Sequence, residues 1–292
     1  MGQPNLKENF EKERKNIVKI QGYTPEPVVD CMVAETEYEE YLCRSSQSRI
    51  GMDSFPIDIY NQLLKYYLSV GKIRNAAFLI CQANWGMRQG DVCSVRFCHI
   101  FTERGTFKES FVLDDGEQKT GKKNIYYNND AVKAIITLYL QHEKHKLYEY
   151  VFASESNNQT KIKLSELDKN APDIAIAKPM SSTCAENIVK DGLVAIGIHT
   201  ENGRKRETVV NCHMKLNTHS LRKTFAELFT KVGSDLCESG ELELNPTMLK
   251  VLQAKFMHSK MNDTKRYNHE LEKAFKTICL NMNIGLDVIE SM

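Results

Sequence analysis

The feature that most constrains the fold is a change of apolar period partway along the chain. Ile57, Tyr60, Leu63, Leu64, Tyr67 and Leu68 recur at the 3, 4, 7 spacing of one buried helix face. Ser54 and Pro56 suit its start, and Gly71 its stop. A second helix is predicted from about Ile73 to Asn84, with Ala76, Ala77, Ile80 and Cys81 inward and Gly86 ending it. Between 107 and 127 the period shortens. Phe107, Phe111, Val112 and Leu113, the turn Asp114-Asp115-Gly116, then Ile125, Tyr126 and Tyr127 read as short strands. Helical spacing returns at about Asp130 to Lys146, 183–196, 219–232, 246–256 and 270–281. Between these lie a short apolar run, Tyr150-Val151-Phe152, and a polar, Pro-containing stretch at 154–180 that reads as a surface excursion. The expected fold class is α+β, mostly α, with one small antiparallel sheet.

Residues 1–50 stand apart. They hold seven Lys and Arg against nine Asp and Glu, and about 50 residues rarely bury enough surface to fold alone. An N-terminal helical or linker segment is expected there, with the domain boundary near Gly51 and one large domain over 51–292. The 292 residues carry 39 basic against 38 acidic side chains, which excludes a polybasic tail, an acidic tail and a disordered chain. Nucleic-acid binding, if present, must therefore be written locally.

No window approaches the roughly 18 to 20 apolar residues of a membrane span, and the first 20 residues are too charged for a secretory segment. A cytoplasmic protein without a membrane partner is expected. The nine cysteines include no C-x-x-C pair, so reduced, mostly buried thiols are expected rather than disulfides. Cys93, Cys98 and His99 raise the question of zinc, as do Cys212 and His213. Neither set has a second pair at ligand spacing, and no metal site is expected.

Four short motifs carry candidate chemistry. Gly86-Met87-Arg88-Gln89-Gly90-Asp91 places an arginine after a helix-closing glycine, with a carboxylate three positions on that can hold it by a charge-assisted hydrogen bond. Gln118-Lys119-Thr120-Gly121-Lys122-Lys123 puts three lysines in the turn between two strands, alone most often a solvated hairpin. Thr218-His219-Ser220-Leu221-Arg222 reads as a helix start with Thr218 as N-cap, His219 and Arg222 on one face of the first turn, and Leu221, Phe225, Leu228 and Phe229 inward. His258 and Tyr267 stand nine residues apart across a turn.

Together and in this order, the four motifs resemble the tyrosine recombinase, or phage integrase, family, whose catalytic core is shared with type IB topoisomerases. The resemblance covers residues 52 to about 270. It implies Arg88, Lys119, His219, Arg222 and His258 as catalytic residues, Tyr267 as nucleophile and Asp91 as a supporting acid. Several departures stand out. Asp91 occupies a position where the family more often has Glu, Met257 replaces a Gly before the second His, and Lys122 rivals Lys119. Long intervals suggest insertions around 154–180, 200–215 and 236–246. Residues 1–50 leave no room for a full helical clamp domain, which points to a minimal or truncated recombinase.

The chemistry so implied is transesterification at a DNA phosphodiester. Two guanidiniums suit a phosphorane-like transition state, being planar, permanently charged and bidentate. Lys119 would protonate the leaving 5′-oxygen, His219 would exchange the tyrosine proton and His258 would donate to a non-bridging oxygen. Neither metal, ATP nor any other cofactor is implied. The expected partner is double-stranded DNA, contacted also by Lys122, Lys123, Arg204, Lys205 and Arg206. A homo-tetramer on DNA, a monomer or weak oligomer alone, a nucleoid-associated location and a mobile-element origin also follow from the resemblance. The helix at 270–281, with Leu271, Phe275, Ile278 and Cys279 at helical spacing, resembles one that docks on a neighbouring protomer, and packing on its own domain is an equal alternative. Topoisomerase-like relaxation and a catalytically silent DNA-binding protein are the competing functions.

Overall fold

The computed structural model describes residues 53–114, 116–119, 121, 123–142, 145–155, 161–167, 173–198, 216–244 and 268–291. The first two helices follow the apolar spacing, except that Ile57, the first residue of its helix, is exposed and Ile59 takes the inward place. Helix α1 spans Ile57–Ser69 and buries Ile59, Tyr60, Leu63, Leu64, Tyr67 and Leu68. Helix α2 spans Ile73–Trp85 and ends at Gly86, which adopts a left-handed conformation at φ 61°. All of α2 except Asn75 is buried, more than the four inward positions that periodicity predicts. The cause is its central place, because α1, α5 (Asp130–His142) and α8 (Thr218–Glu238) all pack on it.

Short helices α3 (Gln89–Cys93) and α4 (Phe97–Ile100) lead to an antiparallel pair, β1 (Ser110–Phe111) and β2 (Tyr126–Tyr127), with Ser110 opposite Tyr127 and Phe111 opposite Tyr126. The pair closes over the end of α2. Trp85 meets Phe111 edge to face at a centroid distance of 5.2 Å and donates its indole N–H to Asn128 Oδ1 at 3.2 Å.

The stretch at 154–180 corrects the expectation of a single sheet. A second antiparallel pair, β3 (Lys161–Lys163) and β4 (Ala175–Ala177), occupies it, with helix α6 (Leu164–Leu167) between them. Leu164 and Ile176 are buried in a small cluster with Tyr148 and Tyr150. The alternation Lys161-Ile162-Lys163 spans only three residues, too few to stand out as a strand, and Lys161 and Lys163 are exposed.

Helix α7 (Ser182–Ala195) starts with Ser181 accepting from the Cys184 N–H at 3.2 Å. Helix α8 begins with Asn217 as its cap, not Thr218, and runs six residues past the predicted end. Asn217 Oδ1 accepts from the His219 N–H at 2.8 Å, while its own N–H donates to Ser220 Oγ at 3.0 Å. Thr218 is unavailable for capping because its hydroxyl is buried and donates to Gln89 Oε1 at 2.7 Å.

Helices α9 (Asn268–Asn281) and α10 (Leu286–Glu290) pack on their own domain. Leu271, Ala274, Ile278 and Cys279 are buried, with Phe275 against Tyr127 and Phe229. Burial of Leu271 and Ile278 contributes roughly 1.5–3 kcal/mol each. An asparagine network fixes the following turn. Asn84 Nδ2 donates to the Ile284 carbonyl and Asn84 Oδ1 accepts from the Ile284 N–H, both at 2.9 Å. Asn129 Nδ2 donates to Asn84 Oδ1 at 2.8 Å and to the Cys279 carbonyl at 3.2 Å. Among the described residues no helix is long and apolar enough to cross a membrane.

Candidate active site

The sharp stop at Gly86 turns the chain out of α2, so that Arg88 becomes the N-cap residue of α3 in an extended conformation. The α8 N-terminus is fastened to the same corner by two bonds: Gln82 Nε2 donates to the Thr218 carbonyl at 3.0 Å, and the Thr218 hydroxyl donates to Gln89. Arg222, one turn along α8, therefore reaches the corner. Its Nη1 donates to the Gly86 carbonyl at 2.9 Å, two residues before Arg88. Two guanidiniums far apart in sequence thus share one partly buried centre, with Arg222 at 8% exposure and the Arg88 side chain at 28%.

The acids around them differ from the expected pairing. Arg88 Nη1 donates to Glu117 Oε2, not to Asp91. Asp91 is buried and accepts instead from the Gln118 N–H at 2.8 Å through Oδ1, while its Oδ2 has no hydrogen-bond partner among the described residues. The three-residue spacing sets Arg88 and Asp91 on adjacent elements of one turn. Because Arg88 is the cap rather than a helical residue, its side chain leaves the face that Asp91 occupies. Burial raises the Asp91 carboxyl above the usual carboxylate range, and Glu117 adds to the shift. The Gln118 N–H and the two arginines oppose it. Burial lowers the Arg222 pKa from its ordinary value and Arg88 adds like-charge repulsion, with Glu117, Tyr126 and Asp91 opposing.

Glu117 is the site residue that sequence reasoning missed. It follows an acidic turn that reads as solvated, yet only 4% of it is exposed. Its Oε1 accepts from Asn124 Nδ2 at 2.9 Å and from the Tyr126 hydroxyl at 3.1 Å. Its position beside Lys119 was the only signal. Lys119 and Lys123 are exposed on the turn, where the Gly121 N–H donates to the Glu117 carbonyl at 2.7 Å. His219 is exposed at the start of α8 while Arg222 faces inward, so the two do not share an environment. His258, Tyr267, Lys122, Arg204, Lys205 and Arg206 lie outside the described residues.

Of the residues that raised the question of zinc, Cys212 and His213 lie outside the described residues, and His99 is held by its neighbours. Its Nδ1 accepts from the Arg96 N–H and its Nε2 meets Asp114 Oδ2, both at 3.0 Å. Among the described residues no group of three His, Cys, Asp or Glu side chains is placed to hold a metal ion.

Residues 57–274, from the first residue of α1 into α9, match the family model described as the phage integrase family. The chain belongs to the phage integrase family. Members are in general tyrosine recombinases, and the family implies DNA binding. No curated protein matches the chain. The matched segment of this phage integrase chain contains Arg88 and Arg222, the lysine turn and, near its end, His258 and Tyr267. The mostly helical fold, with two small antiparallel sheets among the described residues, is consistent with a tyrosine recombinase domain.

Proposed function

We propose that the protein is a site-specific DNA recombinase that cuts and rejoins double-stranded DNA through a 3′-phosphotyrosine, without metal or ATP. The observation that carries this reading is the convergence of Arg222 on the Gly86 carbonyl beside Arg88. A pair of fixed guanidiniums with a partly open face is suited to the two non-bridging oxygens of a phosphodiester.

In the proposed reaction the Tyr267 oxygen attacks the scissile phosphorus and the bond to the 5′-oxygen breaks. His219 takes the tyrosine proton, and Lys119 gives a proton to the departing 5′-oxygen. Religation is the reverse, with a 5′-hydroxyl displacing the tyrosine, so one ester replaces another at each step. Arg88 and Arg222 stabilise the extra charge of the transition state, and His258 adds a hydrogen bond to a non-bridging oxygen. Asp91 stands behind the arginines as a supporting acid, and Lys122, Lys123 and Arg204 to Arg206 contact the DNA backbone. Residues 51–292 form the catalytic domain in this reading, preceded by a helical or linker segment at 1–50, and four protomers assemble on two DNA sites. Action on host DNA places the protein in the cytoplasm with the nucleoid, as for a mobile-element integrase.

The test is a set of nicked suicide duplexes tiled across the DNA that flanks the protein's own gene. A covalent adduct is expected with the wild-type chain, none with Tyr267→Phe, and about a 100- to 1000-fold slower reaction with Arg88→Ala. An adduct that persists in Tyr267→Phe, or no adduct on any duplex, overturns the proposal.

A further inference from the structure

We infer that Glu117 is the positioning residue of Arg88, aiming its guanidinium and tying it to the turn that carries Lys119; this rests on the recombinase reading above. A buried carboxylate is costly unless its oxygens are bonded, and those of Glu117 are. Oε2 takes the Arg88 Nη1 bond, and Oε1 takes Asn124 and Tyr126, which stand on the far side of the lysine turn. The carboxylate is therefore a fixed part of the hairpin base and not a mobile anion filling the phosphate position.

The backbone repeats the link. Gln118, the next residue, donates its N–H to Asp91. Consecutive residues of the turn thus grip both ends of the segment Arg88-Gln89-Gly90-Asp91, and Lys119 follows directly. Arg88 presents five N–H donors in a rigid fork. One of these is held by Glu117 while the side chain stays 28% exposed, so the fork is anchored without being enclosed, as docking of a phosphate requires. Glu117 also offsets the repulsion between the two arginines, since its charge opposes the lowering of the Arg222 pKa.

Glu117→Gln tests this. The amide oxygen keeps the Asn124 and Tyr126 donors, while the amide nitrogen meets Arg88 donor to donor, so the shape survives and the aiming bond is lost. Single-turnover adduct formation is measured beside DNA affinity and thermal unfolding. The expected result is about a 10- to 100-fold slower reaction, the range for loss of an orienting partner, at unchanged DNA affinity. In an Arg88→Ala background Glu117→Gln should have no further effect, because the two act as one unit. Should Glu117→Gln fail to fold, Tyr126→Phe removes one bond to the same carboxylate, and a smaller loss that also vanishes with Arg88→Ala is expected. A wild-type rate in the folded variant, or an equal loss with and without Arg88, overturns the inference while leaving the recombinase reading intact. Absence of an adduct with the wild-type chain overturns both.

Discussion

Gly86 is where helix termination, core packing and the arginine pair meet, and Gly86→Ala separates their contributions. An added Cβ would lie 2.6 Å from Cγ and Cδ1 of Phe225, on a backbone at φ +61°. The left-handed conformation costs an L residue about 1–2 kcal/mol, and overpacking against the ring adds about 1–3 kcal/mol. Reduced freedom of the unfolded chain returns about 0.4–1 kcal/mol. The net loss is about 1–5 kcal/mol, a large share of the roughly 5–15 kcal/mol that holds a domain folded. Gly121 is the control, at φ +64° with nothing within 4 Å of an added Cβ. Gly121→Ala carries only the backbone cost, about 1 kcal/mol or less after the unfolded-state gain. Urea or thermal unfolding of both variants therefore differs by about 1–3 kcal/mol, at about 2–4 °C per kcal/mol for a domain of this size. Phe225 is three residues past Arg222 on α8, so Phe225→Leu should relieve Gly86→Ala by more than the roughly 0.5 kcal/mol scatter of additive effects. Equal losses at Gly86 and Gly121, or strict additivity with Phe225→Leu, would refute the packing argument.

The remaining predictions concern the turn after α9 and the pH response. Asn84→Ala strands the Ile284 N–H and carbonyl and one Asn129 bond; it should cost at least about 2 kcal/mol, with faster amide exchange at Ile284, whereas unchanged exchange would remove the network from the account. Burial lowers the His99 pKa below 6.5 despite the opposing Asp114 carboxylate, so the folded state binds fewer protons than the unfolded one. Stability should then fall as pH drops through 6.5 toward the lower folded value, and His99→Gln should flatten that slope relative to wild type; an unaltered slope would contradict the shift. Asp114 shifts downward as its bonds to His99 and Arg96 outweigh its partial burial, and its smaller, solvent-screened contribution is lost only below 3.8.

Helices α1, α5, α7, α8 and α9 were legible because each buries a stripe that recurs at helical spacing, while the helix expected at 246–256 lies outside the described residues. The stripe Tyr60 to Leu68 and the Gly86 stop appear in the structure as the buried face of α1 and the end of α2. The lysine turn was legible because strand-forming aromatics flank it. What periodicity could not reach were pairings across long sequence distances. Arg88 prefers Glu117 over nearby Asp91 because the turn folds back on α3, and nothing local encodes that approach. The Asn217 cap was hidden because Thr218, also a capping residue, follows it directly, and its draw to Gln89 is not written in the local sequence. The second sheet was hidden because its strands are three residues long and only Ile176 among them is buried. The two arginines, by contrast, could be paired in advance only by resemblance, since no spacing rule joins residues 88 and 222.

The central claim is tested most directly by sequencing the adduct itself. The wild-type protein is trapped on a nicked duplex, digested with protease and nuclease, and the cross-linked peptide is identified by mass spectrometry. The account predicts a peptide containing Tyr267 esterified through its phenolic oxygen to a 3′-phosphate, with a free 5′-hydroxyl on the other DNA fragment. A linkage at any other residue, a 5′-phosphate linkage, or strand cleavage without a protein bond would contradict it.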